Sequence, residues 1–327
     1  MKRWVLGFVV FFCSSLILFA GGTGEKVSYP QKPIEIVVPY GAGGGQDVFT
    51  RITAKYMVKY LPPNSKVVVN NVTGGGGVVG ATAIATQKPD GYQLGSIVPF
   101  QLTDQFIVKG VTYTEKNFVI LGVGSSDAHF LVAKLPLGVK TMQDLIALMK
   151  SKPGEITMAL GGSWNSHDFF RMKLEKAAGI QFKRLPVAQG GAAALALVVG
   201  GNADTSSQSI SEALAAIEAK QVVPLGVSQE ERTPLAPNVP TFKEMGINCV
   251  HAQWRAITCP PGTPQEIQDT LIKVLDRTFS DPGWIEESKK AGLNPINLTG
   301  QKAREYVAAD FEVYKSLIKE FNLKPMD

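Results

Sequence analysis

The residues of this chain best placed to do chemistry are glycines. Residues 40–47 read Tyr-Gly-Ala-Gly-Gly-Gly-Gln-Asp and residues 73–77 read Thr-Gly-Gly-Gly-Gly, each close behind a short β-branched run. Without side chains in the way, successive backbone N–H groups can converge on one ligand, and a helix starting behind the loop adds the positive end of its dipole. Such a site favours an anion, and a small carboxylate is the first expectation. The candidate ligand contacts are Tyr40, Gly41, Ala42, Gly43, Gly44, Gly45 and Asp47 on the first loop, and Thr73, Gly74, Gly75 and Gly76 on the second. Asp47 is placed to cap the following helix and shape the loop rather than to touch the ligand.

A second set of polar loops lies further along. Residues 161–166 are Gly-Gly-Ser-Trp-Asn-Ser and lead into His167, residues 188–191 are Ala-Gln-Gly-Gly, and a hydroxyl-rich run surrounds Ser207. Ser163, Trp164, Asn165, His167, Gln189 and Ser207 are the candidates for the other end of a ligand. His167 can donate to a distal carboxylate or carbonyl, or simply cover the first turn of its helix. Trp164 can stack on a flat ligand, although an aromatic beside a helix start more often acts as a packing wedge.

Other chemistries fare worse. Gly75, Gly77 and Gly80 match G-x-G-x-x-G, but a dinucleotide site needs an acid about 20 residues on, where this chain has Pro99, Phe100 and Gln101. Neither glycine loop is followed by Lys-Ser or Lys-Thr, so a P-loop is excluded and no cofactor is expected. Ser163, Ser166, His167 and Asp168 crowd one helix start, a poor basis for a serine–histidine–acid triad, and no G-x-S-x-G elbow is present. A hydrolase would require ester turnover lost in Ser163→Ala or His167→Ala. His129 and His251 read as isolated on extended segments, and no metal site is expected.

The elements that must position these loops alternate strand and helix. Apolar runs at 34–38, 66–69, 93–98, 156–160, 182–187 and 222–227 read as strands. Between several of them lie stretches with apolar residues at steps of three or four, such as Phe49, Ile52, Tyr56 and Tyr60, which predict helices packed on a sheet. Ser209 with Glu212 and Thr263 with Glu266 form capping boxes. Extended runs at 118–123 and 129–133, interrupted by 124–127, read as a crossing from one lobe to another, and 250–258, with a core residue in Trp254, as the return. Glycine loops at the carboxyl ends of neighbouring parallel strands would face one crevice, the usual ligand position in open α/β sheets.

The N-terminus has Lys2 and Arg3, then apolar residues from 5 to 20 and a small-residue stretch at 21–24, the pattern of a secretory signal. The formal charge of +5 falls to +3 once Lys2 and Arg3 are removed, too mild to argue for nucleic acid. Cys249 and Cys259 remain; an oxidising compartment permits a bridge that nothing local forces. The chain reads as a monomer.

In order along the chain, the two glycine loops, Pro89-Asp90-Gly91, Gly200-Gly201-Asn202-Ala203-Asp204, Pro237-Asn238-Val239-Pro240-Thr241 and Pro260-Pro261-Gly262-Thr263-Pro264 resemble one family: the solute-binding proteins of tripartite tricarboxylate transporters, Bug or TctC-like. The resemblance covers essentially the whole mature chain. It implies a type II periplasmic-binding fold of two α/β lobes: signal peptide 1–24, first part of lobe 1 at 25–124, lobe 2 at 125–250, and the return crossing with the rest of lobe 1 at 251–327. It also implies a small carboxylate held on the first-lobe glycine loops through backbone amides and water, without an obligatory arginine. The expected partner is a membrane permease of one large and one small subunit driven by an ion gradient, in the periplasm or an equivalent extracytoplasmic space. A receptor reporting to a membrane sensor kinase would use the same pocket. The chain departs from the family pattern around Ser163, Trp164 and Asn165 and in the loop containing Gln189, where the far end of the ligand would sit.

Overall fold

The alternation of β-branched runs and amphipathic stretches builds an α/β protein, and a computed structural model describes residues 29–187 and 190–325 of it. The expected signal peptide and Gln189 lie outside the described residues. In chain order, β1 (Ile34–Val38), α1 (Gly45–Met57), β2 (Val67–Asn71), α2 (Val78–Ala85), β3 (Gln93–Ile97) and α3 (Pro99–Ile107) come first. A long strand, β4 (Val119–Lys134), leads to α4 (Met142–Ser151), β5 (Thr157–Leu160), α5 (Ser166–Ala178), β6 (Lys183–Pro186) and α6 (Gly191–Val199). Then follow β7 (Thr205–Ser209), α7 (Ile210–Glu218), β8 (Val222–Val227), β9 (Ala252–Cys259), α8 (Gln265–Phe279), α9 (Pro282–Lys290), β10 (Pro295–Thr299) and α10 (Gly300–Glu320).

Two sheets share β4. Its first half pairs with β9 and β10, and β9 leads on to β3, β1 and β2. Its second half pairs with β7 and β8, and β7 leads on to β5 and β6. The pairs β1–β2 and β1–β3 are parallel, as are β5–β6 and β5–β7. Each sheet therefore brings the loops behind its parallel strands to one edge, and each has its own apolar clusters, built around Phe49, Leu275 and Trp284 in one lobe and Phe170, Leu174 and Phe242 in the other.

The crossing differs from its sequence reading. The two runs at 118–123 and 129–133 form one strand, because register shifts in the pairing with β9, between Ile120 and Gly122 and between Val123 and Ser125, absorb the interruption as bulges. Gly124 makes this possible: a Cβ there would lie 2.6 Å from Phe279 and 2.9 Å from Phe49.

The sequence reading does not reach four elements, α3, α9, β7 and β10, although Asp281 and Pro282 supply the N-cap and first-turn signals of α9. The clearest case is β7, Thr-Ser-Ser-Gln-Ser, buried throughout despite having no apolar residue. Its hydroxyls are spent internally, Thr205 donating to the Thr157 carbonyl at 2.8 Å and Ser206 to that of Ala159 at 2.7 Å. Cys249 and Cys259 are buried, unbridged, and sit in separate cores. Trp254 packs in the core of the crossing, its Nε1 donating to Asp310 at 2.8 Å.

Candidate ligand cleft

The first glycine loop runs from β1 into α1, which begins at Gly45 with Gly44 as its N-cap. The helix thus starts two residues before Asp47, which occupies its third position and does not cap it. The Asp47 carboxylate instead reaches back, accepting from the Gly43 N–H at 2.8 Å, from Arg51 Nε at 2.9 Å and from Asn71 Nδ2 at 2.9 Å. Asn71 also donates to the Tyr40 carbonyl at 2.9 Å, tying the loop to the end of β2. Burial alone would raise the Asp47 pKa, but these donors hold it below the ordinary carboxylate value.

The second loop is held in the left-handed region at every glycine, with φ of 133°, 55°, 66° and 111° from Gly74 to Gly77. Gly77 lies against the ring of Tyr40, whose hydroxyl would stand 3.1 Å from a Cβ. The two loops therefore support each other, with the Tyr40 side chain wedged between them. Its hydroxyl accepts from Gln101 Nε2 at 2.7 Å.

Between the lobes lies a cleft of about 520 Å³. The first lobe contributes Tyr40, Gly44, Gly45, Gln46 and Phe100, the second contributes Asn165, Ser166, His167, Gly190, Ser209 and Glu212, and β9 adds Gln253 and Arg255. Of the residues proposed from sequence, Tyr40, Gly44, Gly45, Asn165 and His167 meet on this wall. Gly41, Ala42 and Gly43 are exposed on the same loop, and Thr73, Gly74, Gly75 and Gly76 are exposed on the second loop, off the cleft wall, where Gly77 is the residue that lies against Tyr40. A larger cavity of about 760 Å³ lies between α5, α10 and the start of β9, but neither glycine loop lines it.

Three second-lobe candidates take other positions. Trp164, at a left-handed φ of 54°, stacks under the Arg184 guanidinium at 4.4 Å, packs on the small cluster around Phe169 and Tyr314, and is not part of the cleft wall. Arg184 is in turn held by Asp168 at 2.5 Å, so the ring's partner is a salt-bridged arginine rather than a ligand. Ser163 shares this loop without lining the cleft. Ser207 is fully buried and acts through histidines: its carbonyl accepts from His167 Nδ1 at 2.7 Å and its hydroxyl pairs with His129 Nδ1 at 2.8 Å. Asn165 caps α5, accepting from the His167 N–H at 3.1 Å.

His129 and His251 are not isolated, as their sequence positions suggested. Both rings meet the Ser166 hydroxyl at 2.9 Å through Nε2, and the His129 ring lies 5.1 Å from that of His167 and 5.0 Å from that of His251. One hydroxyl hydrogen cannot serve two imidazoles, so a consistent chain runs His251 Nε2–H to Ser166, Ser166 to His129 Nε2, and His129 Nδ1–H to Ser207. This leaves His251 Nδ1 as the unpartnered acceptor. Burial, reinforced by Lys173 and the neighbouring rings, pushes His129 and His251 well below the usual histidine range, so both are neutral near pH 7. Among the described residues no group of three or more His, Cys, Asp or Glu side chains could hold a metal ion.

Sequence reasoning missed Gln46, Phe100, Ser166, Gly190, Ser209, Glu212, Gln253 and Arg255 as parts of the cleft. Arg255 had a visible signal, a lone charge within an apolar strand. It is 5% exposed and ion-paired with Asp127, which also accepts from Ser125 at 3.0 Å and from the Asn294 N–H at 2.6 Å. Burial lowers its pKa to about 10, leaving it charged at pH 7. Its Nη2 lies 2.8 Å from where a Cβ on Gly45 would stand, and its Nε has no partner. The positive side of the cleft thus combines the start of α1 with a guanidinium edge.

Two lobes joined by a shared strand around such a cleft define the class: a two-lobed solute-binding protein. Residues 49–323 match the family described as tripartite tricarboxylate transporter family receptor, TctC, and the chain belongs to that family. It is 28% identical over 297 residues to the UPF0065 protein in the gbd 5'region of Cupriavidus necator, covering 90% of this chain and 89% of that one. It is 25% identical over 316 residues to BugT of Bordetella pertussis, covering 94% and 96%. Among solved structures, a TctC solute-binding protein from Polaromonas superposes with a TM-score of 0.76 at 25% identity, over 90% of this chain and all of that one. At 21% identity the fold is shared with the R. palustris protein Rpa4515, solved with adipate (TM-score 0.79, covering 91% and 100%), and with MatC from Rhodopseudomonas palustris, solved with malate (0.72, covering 89% and 100%).

Proposed function

We propose that this protein is an exported solute-binding protein that captures a small carboxylate in the cleft and hands it to a tripartite tricarboxylate-type secondary transporter of one large and one small membrane subunit. The observation that carries this is the first glycine loop: at the cleft wall the chain passes from Gly44 into the N-terminus of α1, beside Arg255. Backbone N–H groups, a helix dipole and a buried guanidinium all favour an anion at one place. Adipate and malate in two neighbours of the same fold support the carboxylate class. The basic and apolar N-terminus, 1–24, supports export to the periplasm or an equivalent space.

Capture proceeds without covalent chemistry. The carboxylate meets residues 41–45 first; the second lobe then closes, bringing Asn165 and His167 to the ligand's other end. Closure is driven by contacts that exist only in the closed form. Ser166 is an unpromising nucleophile, since it is fully buried and its hydroxyl is committed to His129 and His251. The lobes divide as 25–124 with 251–327, and 125–250.

A thermal-shift screen of the signal-free protein against mono-, di- and tricarboxylates, amino acids and aromatic acids, followed by calorimetry on each hit, tests this reading. A ligand at about a hundred times its Kd should stabilise the fold by about 2.7 kcal/mol. Gly43→Val and Gly75→Val, at left-handed positions with φ of 81° and 55°, should lose binding while remaining folded. A neutral ligand that binds while every carboxylate fails would contradict the proposal.

A further inference from the structure

The two walls of the cleft carry opposite charges. On the first-lobe side Arg255 places its Nη2 edge against Gly45 at the start of α1. On the second-lobe side Glu212 lines the same cavity. One oxygen of its carboxylate accepts from the Ser209 N–H at 3.0 Å and the Ser209 hydroxyl at 2.9 Å, and lies 3.9 Å from His167 Nε2. The other oxygen lies 2.3 Å from where a Cβ on Gly191 would stand, so only glycine admits it at the start of α6. The group is thus fixed in place by the starts of α7 and α6, yet its side chain keeps 30% exposure toward the cavity. His167 is committed on one side, its Nδ1–H donating to the Ser207 carbonyl, and Glu212 is the carboxylate that this wall presents to a ligand.

A ligand spanning this cleft with a carboxylate at each end would set its second carboxylate against Glu212. Like charges brought together in a partly buried site repel strongly, whereas an ammonium there would find a carboxylate. We infer that Glu212 is a specificity-determining residue which selects ligands carrying a carboxylate at one end and an ammonium at the other, that is, amino-carboxylates over dicarboxylates of equal length. The inference rests on the carboxylate-capture reading and refines it.

Calorimetry with the signal-free protein tests it, using ω-amino acids, α-amino acids and plain dicarboxylates in series of matched, increasing chain length. The tightest amino-carboxylate should bind at least about tenfold more strongly than any dicarboxylate. In Glu212→Gln the amide oxygen can still accept from Ser209, so the α7 cap and the melting temperature should be kept. That variant should bind the amino-carboxylate at least about tenfold more weakly and bind dicarboxylates no worse than wild type. If dicarboxylates bind wild type more tightly, or Glu212→Gln leaves the order of preference unchanged, the inference falls while carboxylate capture stands. If no carboxylate of either series binds, both fall together.

Discussion

At the scale of single residues, the cleft is built from groups whose chemistry is set by what they touch. Asp47 is an anion spent on holding a loop, Ser207 positions two histidines from behind, and Trp164 serves as a platform for Arg184. The three histidines sit where the two lobes meet, and two of them are neutral because burial makes the charged form costly. This has a pH consequence with a definite sign. Folded pKa values below the unfolded value of 6.5 mean that the unfolded chain binds more protons once the pH drops. The stability these histidines permit is complete above pH 6.5 and is lost as the pH falls below it, by up to about 1.4 kcal/mol per pH unit for each histidine. Asp104 acts in the opposite sense, since burial raises it to about 6. The comparison must therefore be made between variants. Urea unfolding of wild type and His251→Asn between pH 8 and 5 should give a shallower loss in the variant; parallel curves would show that His251 is not held neutral.

At the scale of elements, the two glycine loops work because strands and helices approach one another unusually closely behind them. A Cβ on Gly80, in α2, would stand 2.4 Å from the Val72 carbonyl and 2.5 Å from Pro39 Cα, the bases of the second and first loops. Both obstacles are backbone and cannot rotate away. Gly80→Ala should therefore push α2 off the sheet, destabilise the protein by about 1–3 kcal/mol in urea unfolding, and weaken ligand binding through both loops. An unchanged unfolding midpoint would mean that the helix has room that this packing denies.

The same scale explains what the sequence could disclose. Strands β1, β2, β3 and β5 and the helices behind the loops were legible because apolar periodicity and glycine punctuation agree there. β7 was not, because a Thr-Ser-Ser-Gln-Ser strand becomes legible only when Thr157, Ala159 and His129 are seen to take up its hydroxyls. The cleft was half legible for a related reason. Tyr40, Gly44, Gly45, Asn165 and His167 belong to continuous loops that advertise themselves. Arg255, Gln253 and Glu212 come from a crossing strand and a helix start, and only the pairing of β9 with both β3 and β4, and the approach of α7 to α6, brings them to the same wall. Glu212 is legible as half of a capping box; its second exposure, to the cavity, is a tertiary fact.

At the scale of the whole molecule, β4 and β9 run between the lobes, and a small shared cluster of Phe169 and Met172 with Ile107, Tyr314 and Leu317 joins α5 to α3 and α10. The crossing carries the Arg255–Asp127 pair on one side and Trp254 on the other. A buried ion pair of this kind contributes little net stability but is costly to break singly. The central claim is that an anionic ligand group is held where the first glycine loop becomes α1. A crystal structure of the protein with its tightest carboxylate ligand tests this most directly. Carboxylate oxygens are expected within hydrogen-bonding distance of backbone N–H groups of residues 41–45, with the second lobe closed over the ligand. A carboxylate turned instead toward Glu212, or lodged in the cavity between α5 and α10, would contradict it.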